Sequence, residues 1–68
     1  MTQARATAAG KVLAVLATFG REQPAQTLSQ IARRTGMPLS TAHRVVGELA
    51  AWGALERTPE GAWHVGLR

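Results

Sequence analysis

A single Gly-Met-Pro turn between two helical stripes constrains this chain more than any other feature of it. From Leu28 to Leu49 the sequence runs LSQIARRTGMPLSTAHRVVGEL. In the first half Leu28, Ile31, Ala32 and Thr35 fall at i, i+3, i+4 and i+7, and in the second Ala42, Val45, Val46 and Leu49 repeat that spacing. Each half therefore presents one apolar stripe, and both stripes need a common core. Between them Gly36 can take the left-handed conformation that ends a helix, Met37 is expected to fold back on Ile31 or Ala32 in a Schellman-type contact, and Pro38 suits the first turn of the next helix. Ala32 supplies a small side chain where two helices joined by so short a turn must cross. The pattern is a helix-turn-helix, over about residues 28–52.

The flanks fit that unit. Thr27 followed three residues later by Gln30 makes a capping box that fixes where the first helix of the pair begins. Upstream, basic residues precede the apolar run Val12 to Phe19, which invites comparison with a signal peptide or membrane span. The run is far shorter than the roughly 20 residues a spanning helix needs, no small-x-small cleavage site follows it, and Val12, Val15, Leu16 and Phe19 are already helically spaced. An amphipathic helix over about 7–19 is expected, capped by Thr7, weakened in its first turn by Gly10 and ending near Gly20. Met1 to Ala6 read as a frayed or partner-ordered arm, and Arg21 to Gln26 as a loop.

Downstream of Gly53, a helix stop, ALERTPEGAWHVGLR reads as a β-hairpin over about 55–65, with Pro59 and Gly61 placed for a type I turn and a following bulge. Alternation puts Leu55, Trp63 and Val65 on one face, so Trp63 is expected in the core rather than as a base-stacking platform. A hairpin in this position is a wing. The fold class is thus mainly α with a small β-hairpin, a winged helix-turn-helix of three helices plus wing, in a single domain spanning 1–68. A domain of that length buries only about 60% of its unfolded surface, so its stability is marginal.

Composition narrows the chemistry. Eight Lys plus Arg against four Glu and no Asp give a net charge of +4, which suits an anionic partner such as nucleic acid. Without Cys there is no disulfide, zinc-thiolate site or thiol nucleophile, a usage compatible with the cytoplasm. Any catalytic triad would have to combine Ser29 or Ser40 with His43 or His64 and a Glu, yet His43 and Glu48 lie about 140° apart around their helix. The His and Glu also lack metal-ligand spacing. An enzyme is excluded, no cofactor or metal is implied, and a protein-interaction module without DNA binding is the rival reading.

The helix from Leu39 carries the functional signal. Ser40, His43, Arg44 and Gly47 fall on the side away from Ala42, Val45, Val46 and Leu49, so one face packs and the other is available to read double-stranded DNA from the major groove. Arg44 is the first candidate for base readout, through two hydrogen bonds to guanine O6 and N7. Ser40 and Thr41 stand near the helix start, placed for phosphate or base contacts. His43 has three readings: base, phosphate or plain surface. Gly47 suits a close backbone approach or is simply tolerated. Arg34 and its neighbour Arg33 offset the dipole of the preceding helix or contact phosphate. Arg57, close to the wing tip, reaches a phosphate or the minor groove, or is an exposed strand arginine beside Glu56 or Glu60.

From Thr7 to Gly66 the chain resembles the N-terminal winged-helix domain of IclR-family bacterial transcriptional regulators. IARRTGMPLSTAHRVV is the most specific stretch, and GALER and the W-x-V-G ending support it, whereas MarR-like winged helices match less well. The resemblance implies a cytoplasmic regulator without a cofactor in this domain. It implies an operator, expected to be near-palindromic, bound by a homodimer or tetramer when the domain is joined to an effector-binding domain, the first helix contributing to pairing. The sequence departs from the family twice: Leu39 stands where a basic or polar residue is usual, and family members continue into a larger effector-binding domain beyond the position of Arg68, so the chain is expected to be an isolated domain or fragment.

Overall fold

The computed structural model describes residues 7–66, so the expected arm at Met1 to Ala6 lies outside the described residues. Three helices and three short strands follow one another as α1 (Ala8–Ala17), β1 (Ala25–Gln26), α2 (Leu28–Thr35), α3 (Leu39–Ala51), β2 (Leu55–Arg57) and β3 (Trp63–Val65). Thr7 caps α1, its Oγ1 accepting from the Gly10 N–H at 2.9 Å. The helix ends two residues before the expected Phe19. Thr18 and Phe19 donate to carbonyls three residues back, Val15 O and Leu16 O, and Thr18 Oγ1 also donates to Val15 O at 2.6 Å. The last turn is therefore tightened into 3₁₀ geometry rather than stopped by a left-handed Gly20.

Both halves of the Thr27/Gln30 capping box are made, at 2.9 and 3.2 Å. At the turn between α2 and α3, Gly36 has φ 76° and its N–H donates to Ala32 O at 2.9 Å. This is the single-bond left-handed ending rather than the Schellman pair, because the Met37 N–H goes instead to Thr35 Oγ1 at 3.3 Å. The Met37 side chain still packs against the core. The Schellman pair occurs at the other end of α3. There Gly53, φ 80°, donates to Ala50 O at 3.0 Å and Ala54 donates to Leu49 O at 2.9 Å.

Val15, Ile31, Val45, Val46, Leu49 and Leu55 form the buried core, with one or more residues from every helix and from β2. Full burial of each side chain of the size of Ile31 or Leu55 contributes about 1.5–3 kcal/mol. Ala32 of α2 and Ala42 of α3 are buried as well, and these two helices pack against each other. Trp52, just past the end of α3, adds nothing to this core, being 88% exposed.

Two expectations are corrected by the sheet. It has three strands in the order β1-β3-β2, both pairings antiparallel, so part of the expected Arg21 to Gln26 loop is an edge strand. Ala25 and Gln26 pair with His64 and Trp63. Within the wing the register Leu55↔Val65 and Arg57↔Trp63 puts Leu55, Trp63 and Val65 on one face as expected. Burial along that face is graded: Leu55 is sealed, Trp63 is half-buried against the core, and Val65 is exposed at the side of an open hollow that Leu16 and Phe19 also line. The wing turn is closed by Gly61 N–H to Thr58 O at 3.0 Å and Thr58 N–H to Ala62 O at 2.8 Å, with Gly61 at φ 89°.

Candidate nucleic-acid interface

The amphipathic split of α3 is complete. Ala42, Val45, Val46 and Leu49 are buried, while Ser40, His43, Arg44 and Gly47 are exposed and occupy about 100° of arc on the far side. Pro38 precedes the helix at φ −58°, ψ 149° and provides no side-chain cap. The first-turn N–H groups of Leu39, Ser40 and Thr41 are thus left facing outward at the positive end of the helix dipole, beside the exposed Leu39.

Thr41 stands apart from the other candidates. It is half-buried on the flank of α3 and lines a hollow with Lys11 of α1 and with Gly36, Met37 and Pro38 of the turn. Lys11 is a cation at the start of α3 that sequence reasoning passed over. Its only signal was a basic side chain on α1 off the Val12–Val15–Leu16 stripe.

The wing arginine is held close to α3. Arg57 Cζ lies 5.5 Å from the centroid of the Trp63 ring, and both residues border a cleft between α3 and the wing that also touches His43 and Gly47. His43 and Arg57 are therefore brought together, with Arg44 and Ser40 further along the same exposed face. Arg34 is turned away from this group. Its Nη1 donates to Gln26 Oε1 at 2.9 Å, and it lines a hollow against Gly10, Leu13 and Ala17 of α1. Among the described residues the single ion pair joins His64 Nε2 to Glu56 Oε1 at 3.6 Å across the outer face of the wing, so no carboxylate neutralises Arg44 or Arg57.

Among the described residues no cluster of three His, Cys, Asp or Glu gathers to hold a metal, and no helix is long and apolar enough to cross a membrane.

Comparison with known proteins decides the lineage. The family model for the IclR helix-turn-helix domain matches residues 8–59. The chain belongs to the IclR family. It is 40% identical over 57 residues to the HTH-type transcriptional regulator KipR of Bacillus subtilis, a match covering 84% of this chain and 22% of KipR. The crystal structure of an IclR homolog from Microbacterium hydrocarbonoxydans, complexed with 4-hydroxybenzoate, superposes with TM-score 0.87 at 45% identity, over 91% of this chain and 26% of that one. An IclR family transcriptional regulator from Brucella abortus gives TM-score 0.85 at 27% identity, over 90% and 24% of the two chains. The chain thus spans about a quarter of the length of these relatives. Within the IclR family this segment corresponds to the helix-turn-helix domain, and the relatives that carry it include proteins described as transcriptional regulators.

Proposed function

We propose that this IclR-type domain reads double-stranded DNA with α3 in the major groove and the wing against the adjoining backbone. The observation that carries the reading is the exposed sector of Ser40, His43, Arg44 and Gly47, backed by four buried apolar residues and flanked by Arg57. Arg44 contacts a base edge, worth about 1–3 kcal/mol of discrimination against the wrong base pair. Ser40, Thr41 and the uncapped first turn take phosphate, and Lys11 joins them as a cation at the same end. Arg34 has the weaker case, because one of its donors is committed to Gln26.

A single α3 contacts only a few base pairs, so two copies are needed to mark a site. The operator is then a near-palindrome with half-sites about 34 Å apart, and the domain works in the cytoplasm as part of a homodimer or tetramer held by an effector-binding domain. The test is retardation of random duplex at low and high salt, followed by selection of bound duplexes from a random pool. Salt-sensitive binding and an enriched palindrome are expected. No binding at low salt would turn the domain into a protein-interaction module.

A further inference from the structure

The wing arginine does not extend past the tip of its hairpin. Arg57 and Trp63 are cross-strand partners, and the guanidinium lies over the ring at 5.5 Å. On another side it is bounded by the turn, since a Cβ built on Gly61 would lie 3.9 Å from Arg57 Nη2. A cation–π contact of this kind attracts the guanidinium to the ring without consuming its N–H donors in hydrogen bonds. Those donors border a cleft of about 360 Å³ whose other wall includes His43 and Gly47 of α3, and a Cβ at Gly47 would meet nothing within 4 Å. Beyond Arg57 the wing tip carries the exposed Pro59 and Glu60, and an acidic tip is repelled by the minor groove.

We propose that Trp63 is a positioning residue for DNA binding: its ring holds Arg57 at the wall of the cleft between α3 and the wing, where Arg57 and His43 flank one seat for a backbone phosphate. The inference rests on the reading of α3 as the DNA-reading helix, and it assigns the wing arginine to the phosphate beside that helix rather than to the minor groove. A planar guanidinium held on a ring presents two parallel donors to a phosphate, which a free side chain would have to order on binding.

The experiment measures the dependence of log K on log salt for one duplex with the parent, Arg57→Gln, Trp63→Leu, Trp63→Phe and the Arg57→Gln/Trp63→Leu double variant, alongside thermal midpoints. One lost phosphate contact reduces the slope by about 0.9. Arg57→Gln and Trp63→Leu are each expected to show that reduction, the double variant no more than either, and Trp63→Phe, which keeps an aromatic face, the parent slope. A second measurement does not depend on Trp63→Leu folding. Trp52→Phe at its exposed site leaves Trp63 the one remaining tryptophan, and added duplex is expected to shield it from acrylamide. An unchanged slope in Arg57→Gln, additive losses in the double variant, or unchanged quenching on saturation with DNA overturns the seat while leaving the DNA-binding reading intact. A parent that binds no DNA overturns both.

Discussion

Arg34, in the last turn of α2, donates from Nη1 to the buried Gln26 Oε1 at 2.9 Å. Gln26 is wholly inaccessible, and its Nε2 donates in turn to Thr18 Oγ1 at 2.9 Å, which itself donates to Val15 O. The series crosses from α2 through β1 to the end of α1, and every buried side-chain polar atom among the described residues has a partner.

Arg34→Ala is therefore expected to destabilise the domain, and its neighbour Arg33→Ala to be nearly neutral. Removing one partner from a buried acceptor costs about 1–3 kcal/mol, and each kcal/mol moves the midpoint of so small a domain by about 4–8 °C. Thermal melts of the two variants check this. Equal midpoints would deny Arg34 its role as a strut.

Arg44→Ala should separate base reading from phosphate binding. On the preferred duplex it is expected to cost about 1–3 kcal/mol and on random duplex much less, whereas a phosphate-binding cation lost elsewhere weakens both alike. Titrations on the two duplexes give the answer, and matched losses would take Arg44 off the base edge.

Leu39 opens α3 at 54% exposure, so replacing it removes little buried area. Leu39→Lys at this uncapped helix end should strengthen binding to any duplex and steepen the salt slope by about 0.9, at a cost in stability of about 0.3–1 kcal/mol because a cation then sits at the positive end of the helix dipole. A slope equal to the parent's would mean that DNA does not approach this end of the helix.

The chain alone is expected to be a monomer or weak dimer, since Val12, Val15, Leu16 and Phe19 are all packed against its own core. Fusing a dimerising segment after Arg68 should raise affinity for a palindrome by about 10²–10⁴ and for a half-site far less. Sedimentation and titration on full and half sites test it. A tight dimer without the fusion, or equal gains on both duplexes, would count against the two-copy reading.

Core truncations should rank by burial. Leu55→Ala removes a side chain at 1% exposure and is expected to cost about 2–5 kcal/mol, while Trp63→Ala, only half-buried, should cost less than the roughly 3–5 kcal/mol of a sealed aromatic. Denaturant titrations that reverse this order would show that Trp63 closes the core after all.

What was legible in the sequence was whatever local chemistry decides. The α2 capping box, the left-handed Gly36, the stripes of α2 and α3 and the Thr58 to Gly61 turn depend on residues within one or two turns of each other. β1 was not legible because two residues after Pro24 carry no alternation of their own, and only pairing with β3, almost 40 positions later, makes them a strand. The same distance hid Gln26, a polar residue whose burial is explained by partners on α1 and α2. At the candidate interface the exposed sector of α3 could be read from its period, but the approach of Arg57 to His43 needed the wing folded back onto α3.

Gly66 ends the described chain buried, with the Glu56 side chain filling the space where a Cβ would stand, and its N–H donates to Ala54 O at 2.9 Å. Ala54 is itself bonded to Leu49 O, in the last turn of α3. Gly66 is thus two backbone hydrogen bonds from α3. A side chain placed at residue 66 would therefore displace Glu56 and, with it, the carboxylate that meets His64, so Gly66→Ala is felt on the outer face of the wing rather than at the chain end alone.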